Sequence, residues 1–160
     1  MTMIATQTKF NHIVACDVGK QTLVIHILPG DAQHTIANTP KAVARFLAHE
    51  KKRNIKEKLG PLLVICEATG GYERHVLAAA VSLGLGCHKA HGARVRLFAK
   101  YKGLLAKTDP MDARVIALFG RQTEDLRLYE PPGADEAALR DSLGPPRPDP
   151  RHDHRRRQPA

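Results

Sequence analysis

Tryptophan is absent, and the aromatics amount to three Tyr and four Phe. A core built from this chain must rest on Val, Ile, Leu and Ala. No apolar run approaches the roughly 20 residues of a membrane span. The first residues, Met1 to Thr6, lack the charged and apolar blocks of a signal peptide. A cytoplasmic protein with no membrane partner is expected. Only three cysteines occur, none in a Cys-x-x-Cys spacing, which argues against a zinc site. Cys16, Cys66 and Cys87 lie in apolar surroundings and read as reduced core residues. The nine histidines show no zincin spacing. Of these, His26, His34 and His49 read as surface residues, whereas His88 and His91 lie near a strand end.

What is present is positive charge. The 160 residues carry a formal net charge of +9 with pI ≈ 9.8. That length suits one domain with a real core. The charge suits a polyanionic partner, most simply nucleic acid. Residues 145–160 hold five Arg and two Asp, so the remainder is basic without them. Seven of the 11 prolines stand at or beyond Pro131. The last 16 residues have no aliphatic side chain larger than Ala or Pro and cannot form a core. The expected organisation is a flexible 1–10, a catalytic domain over 11–130, and a linker remnant with a disordered Pro/Arg-rich tail over 131–160.

Apolar patterning places the elements. His12–Val18, Thr22–Leu28 and His34–Ala37 read as three strands joined by tight turns, an antiparallel meander. Thr39-Pro40 signals a helix start, Thr as cap and Pro at the first position. That helix is expected to end at Lys51-Lys52-Arg53. Leu62–Glu67 is apolar on both sides and reads as a central strand. A helix is expected over Tyr72–Leu83, a short strand over Gly86–Ala90, and a basic amphipathic helix over Ala93–Lys102. In the last of these Val95, Phe98 and Tyr101 share a face. The next helix is expected to be capped by Thr108 or Asp109 and opened by Pro110. Ala134–Leu143 can start another.

Four acids organise the chemistry: Asp17, Glu67, Asp109 and Asp112. Asp17 and Glu67 each follow an apolar strand, and if those strands pair in parallel both carboxylates emerge at one sheet end, where α/β ligand sites lie. Asp109 and Asp112 are three apart, on one helical turn. Hard oxygen donors select Mg²⁺ or Mn²⁺ over zinc or copper. Two such ions clamp the attacking and leaving oxygens of a phosphodiester. Simpler roles exist: a turn for Asp17, helix capping for Asp109 and Asp112. Glu67 is more telling, because a buried carboxylate needs a partner. Lys100, Lys102, Lys107 and Arg94 either meet phosphates or form a solvated face. Tyr72, after Gly70-Gly71, either stacks on a base or packs in the core, with core packing the expected role.

Three strings carry a family resemblance. Ala15-Cys16-Asp17-Val18-Gly19-Lys20, Glu67-Ala68-Thr69-Gly70-Gly71-Tyr72, and Phe98 to Gly103 followed by Ala106-Lys107-Thr108-Asp109-Pro110-Met111-Asp112-Ala113 resemble the N-terminal domain of DEDD-type transposases of bacterial insertion sequences, the insertion-sequence-110 family. The resemblance implies a RuvC-like, RNase H-like α/β fold: a mixed sheet with a three-strand meander and flanking helices. It implies that Asp17, Glu67, Asp109 and Asp112 form a tetrad binding Mg²⁺ (or Mn²⁺). It implies DNA as partner, a structured guide RNA of the element, and self-association. In such enzymes a C-terminal domain supplies a serine that attacks DNA. Neither Ser82 nor Ser142 suits that role, and the expected linker and serine domain are not found. A C-terminally truncated product that cannot complete transposition alone is therefore expected, arising from a frameshift near Ser142. Cys16, Gly19 and Ala90-His91 are milder departures from the family pattern.

Two further classes compete. One is a non-catalytic nucleic-acid-binding module that interferes with or assists a full-length transposase. The other is a small phosphotransferase of actin-like fold, disfavoured because no second half with Gly-rich phosphate loops exists.

Overall fold

The computed structural model describes residues 9–105 and 111–143. Residues 1–8, 106–110 and 144–160 lie outside the described residues, and with them most of the expected flexible start and Pro/Arg-rich tail.

β1 (His12–Val18), β2 (Thr22–Leu28) and β3 (Ala32–Ala37) form the meander. α1 (Pro40–Glu57) then crosses over to β4 (Leu62–Glu67), and α2 (Arg74–Ser82) leads to β5 (Gly86–Ala90). α3 (Gly92–Tyr101), α4 (Ala113–Gln122) and α5 (Ala134–Leu143) follow. The five strands run in the order β3-β2-β1-β4-β5. β1–β2 and β2–β3 are antiparallel, whereas β1–β4 and β4–β5 are parallel. The parallel pairs are the ones joined by helices, as a crossover requires.

Side-chain alternation divides the core in two. Val14, Cys16, Val18, Ile25, Val64, Cys66 and Cys87 face one way and are covered by Val43 and Leu47 of α1 and Val76, Leu77 and Ala80 of α2. Ile13, Ala15, Leu63, Ile65 and Ala90 face the other way, under Val95 and Ala99 of α3 and Val115, Ile116 and Phe119 of α4. Gly120 permits the closest approach of α4: a Cβ there would meet Ile65 Cδ1 at 3.2 Å and Leu63 Cδ2 at 3.5 Å. All three cysteines are free and buried. Burial pushes the Cys16 thiol well above its ordinary pKa, so it behaves as a small apolar side chain.

Thr39 caps α1 as expected, accepting a hydrogen bond from Ala42 N at 3.2 Å. The helix runs past Arg53 to Glu57, a turn beyond the expected end. Arg53 pairs with Glu57 at 3.3 Å, and Lys58, at φ 51°, donates its N–H to the Asn54 carbonyl. That last turn is solvated and held by polar contacts, so apolar periodicity gives no sign of it. Glu50 enters the sheet's starting end, where His12 Nε2 lies 3.1 Å from its Oε2 and Asn54 Nδ2 2.9 Å from His12 Nδ1. Burial pushes the Glu50 carboxyl up, but the His12 bond and the Arg53 charge outweigh it, and the net shift is downward.

His26 is a correction. It is buried, because on β2 it stands opposite Ala15 of β1, and its Nε2 pairs with Asp31 at 2.8 Å across the β2–β3 turn. His34 and His49 are exposed as expected. Among the described residues no helix is long and apolar enough to cross a membrane.

Candidate functional site

β1 and β4 are parallel with Cys16 opposite Cys66. Asp17 and Glu67 are the next residues on each strand, so they stand side by side at the carboxyl end of the pair, about 4.8 Å apart along the sheet. Each points away from its neighbouring cysteine, onto the face covered by α3 and α4. Asp17 is half-buried and Glu67 is 5% exposed. The expected parallel pairing and the expected convergence of these two acids are both present.

Glu67 leans toward α3. A Cβ built on Gly92, the first residue of that helix, would overlap Glu67 Oε1 and lie 3.1 Å from its Cδ. The carboxylate thus occupies the space that a side chain at 92 would fill. The α3 start has no side-chain cap from His91, and a helix N-terminus favours a negative group beside it.

The loop after Glu67 is organised by Glu73, which the sequence reading missed. Its Oε2 accepts hydrogen bonds from Thr69 N (3.2 Å), Thr69 Oγ1 (2.9 Å) and Gly71 N (2.9 Å). Its Oε1 pairs with Lys89 Nζ at 3.3 Å. Burial pushes this carboxyl up; the backbone amides and the Thr69 hydroxyl more than reverse that, leaving it below the ordinary value. Gly70 and Gly71 have φ of 74° and 119°, which lets the loop wrap around the carboxylate. Asn38, also missed, donates to the carbonyls of Gly19 (2.8 Å) and Tyr72 (3.0 Å). It ties the turn after Asp17 to the loop after Glu67. A signal existed for Glu73: a Glu two residues past a Gly-Gly pair and four past Thr69. None existed for Asn38, whose partners are main-chain atoms remote in sequence.

Asp112 is exposed and caps α4, accepting from Val115 N at 3.0 Å. Thr108 and Pro110 lie outside the described residues, and the expected helix start is corrected: α4 begins at Ala113, with the Asp112 carboxylate satisfying the free N–H of Val115 in its first turn. Asp109 and Lys107 lie outside the described residues. Among the described residues no group of three or more His, Cys, Asp or Glu is placed to hold a metal ion. Asp17 and Glu67 fit such an ion in chemistry, as hard carboxylates on adjacent strand ends.

Among the described residues the basic candidates are spread along α3, with Arg94 on its first turn beside Gly92 and Lys100 and Lys102 toward its far end. Arg94 is exposed, with its guanidinium 5.7 Å from the Phe119 ring centroid. Lys100 is exposed on the last turn of α3. Lys102 lines a cavity of ≈ 760 Å³ with Lys9, Phe10 and Arg121. Phe10 precedes β1, and Leu128 of the same cavity packs on Gly86, the first residue of β5. Lys102 is therefore at the opposite end of the sheet from the acids. Tyr101 does not share the buried face of α3; it is 85% exposed, and Ala99 takes that place. Tyr72 is 43% exposed, so the expected core packing is corrected: Asn38 holds its main chain while the ring faces outward. His88 is structural, buried with Nδ1 2.7 Å from the Arg127 carbonyl and its ring against Phe119.

The family model for DEDD transposases of insertion-sequence-110 elements, described as "Transposase", matches residues 14–144. The chain belongs to this family. Its fold is a five-stranded mixed α/β sheet with helices on both faces, as the family resemblance implies. Among solved structures, the chain is similar to T. thermophilus RuvC in complex with Holliday junction substrate, at 17% identity and a TM-score of 0.41, covering 72% of this chain and 99% of that one. No curated protein matches it.

Proposed function

We propose that this transposase domain is a divalent-metal-dependent phosphodiester-processing unit acting on DNA, with Asp17, Glu67, Asp109 and Asp112 as its acids. The observation that carries the reading is the pair Asp17 and Glu67, side by side at the carboxyl ends of β1 and β4 in a chain of this family. Mg²⁺ or Mn²⁺ held there would supply charge neutralisation for the oxygens of an in-line displacement. The chain's own residues supply the rest. Glu67 is held on a dry face under α3, and Glu73 and Asn38 fix the loops that border it. Tyr72, exposed on one of those loops, stacks on a base in this reading, and Arg94, Lys100, Lys102 and Lys107 contact phosphates. Lys102 would do so at a second location, beside Lys9 and Arg121.

We further infer self-association and a structured RNA of the element as partner, from the family alone. Strand exchange through a serine is assigned to no residue here, since Ser82 ends α2 and Ser142 lies in α5. A second reading, a nucleic-acid-binding module without catalysis, is favoured by one observation: Asp112 is exposed and engaged as a helix cap.

Mn²⁺ titration followed by thermal denaturation separates the two. A stabilising shift that disappears in Asp17→Ala and Glu67→Gln supports the metal site. A parent chain whose melting temperature ignores Mn²⁺ refutes it and leaves the binding module.

A further inference from the structure

The geometry points to Gly92 as a positioning residue for Glu67: the missing side chain at the start of α3 is what lets the carboxylate stand where it does. The inference rests on the reading of Glu67 as a metal-binding acid. Nothing else about position 92 demands glycine. Its φ is not in the left-handed region, and among described atoms the nearest to a built Cβ all belong to Glu67: Oε1 in overlap, Cδ at 3.1 Å, Cγ at 3.6 Å. Alanine is the better helix former. On backbone grounds alone, Gly92→Ala is neutral or favourable.

The cost falls on Glu67. Its side chain is flexible and only its far end meets the added methyl, so the fold can relieve the overlap by turning the carboxylate aside. What moves is the functional group itself. Ala90, opposite Glu67 in the β4–β5 register, is fully buried. Glu67 is itself almost fully buried, and a carboxylate that turns aside leaves the place beside the start of α3 that it holds in the parent. The substitution therefore separates stability from site geometry, which few core substitutions do.

The test uses the full chain with Mn²⁺ as probe, comparing the parent, Gly92→Ala, and Gly92→Ala combined with Glu67→Asp. The expected result is an unchanged or raised melting temperature without metal in Gly92→Ala, with Mn²⁺ affinity lowered by about tenfold or more, the usual effect of disturbing a ligand's support. Glu67→Asp withdraws the carboxylate by one methylene and should restore part of that loss in the double variant. The carboxyl ¹³C resonance of Glu67 is read in parallel without metal. A resonance and an Mn²⁺ response that both match the parent in Gly92→Ala overturn the inference. If the parent itself shows no Mn²⁺ response, the metal reading fails, and the Glu67 resonance alone decides whether Gly92 positions it: displaced supports the inference, unmoved overturns it.

Discussion

Glu73→Ala removes the acceptor around which the loop between β4 and α2 is built. Three donors lose their partner: Thr69 N, Thr69 Oγ1 and Gly71 N, at 2.9–3.2 Å. Lys89 loses its ion pair as well. Hydrogen bonds to a charged acceptor contribute about 1.5–3 kcal/mol each when buried. Water can reach part of this loop, since Gly70 is exposed and Thr69 and Gly71 are half-buried. Three bonds at the lower end would give about 4.5 kcal/mol, which we discount for water access and non-additivity to roughly 3 kcal/mol. For a chain of this size that is about 6–12 °C in melting temperature. Glu73→Gln keeps one acceptor oxygen and loses the charge, so it should lie between the parent and Ala. The pH dependence gives the sharper test. The folded carboxyl lies below its ordinary value, so its stabilisation is present at neutral pH and is lost as pH falls through the folded value. Urea melts of parent and Glu73→Gln between pH 7 and about pH 3 should converge at the acid end. Glu50 is shifted the same way and gives both proteins a common acid slope, so the difference between the curves isolates Glu73. Two parallel curves, or a Glu73→Ala protein within about 0.5 kcal/mol of the parent, refute the reasoning.

Asp112→Ser should keep the cap on α4 and its stability, whereas Asp112→Ala should cost about 1 kcal/mol by urea melt. If Asp112 also binds metal, both variants lose the Mn²⁺ response, and a Ser variant that keeps it confines Asp112 to capping. Gly120→Val should destabilise by about 1–3 kcal/mol through overpacking against Ile65 and Leu63, with no change in Mn²⁺ response per folded molecule. A neutral Gly120→Val would mean that α4 sits farther from the sheet than described.

β1, β2 and β4 were legible because they are short apolar, β-branched-rich runs between turn residues, and every strand stands within two residues of its expected place. The α1 start was legible for the same local reason, Thr before Pro. What was not legible depends on partners far away in sequence. His26 looks like a surface residue on an alternating strand until β1 places Ala15 opposite and α4 covers that face. The expected start of α4 rested on Pro110 with Thr108 or Asp109 before it; that Asp112 makes the cap depends on its carboxylate reaching Val115 N, which spacing leaves open. At the site, the two strand-ending acids were readable from their apolar runs. Asn38 and Gly92 were not, since one acts on main-chain carbonyls of distant turns and the other by what it lacks.

The parallel pairing of β1 with β4 has a kinetic consequence. The meander β1-β2-β3 closes through tight turns and can form from residues close in sequence. Asp17 meets Glu67 only after an 18-residue helix has crossed over, a long loop closure that comes late and slowly. No fragment ending before β4 can carry the site, and an ion held by both carboxylates would fasten two strands that meet only through the α1 crossover. In this domain the acid pair exists only where the β1–β4 pairing has formed.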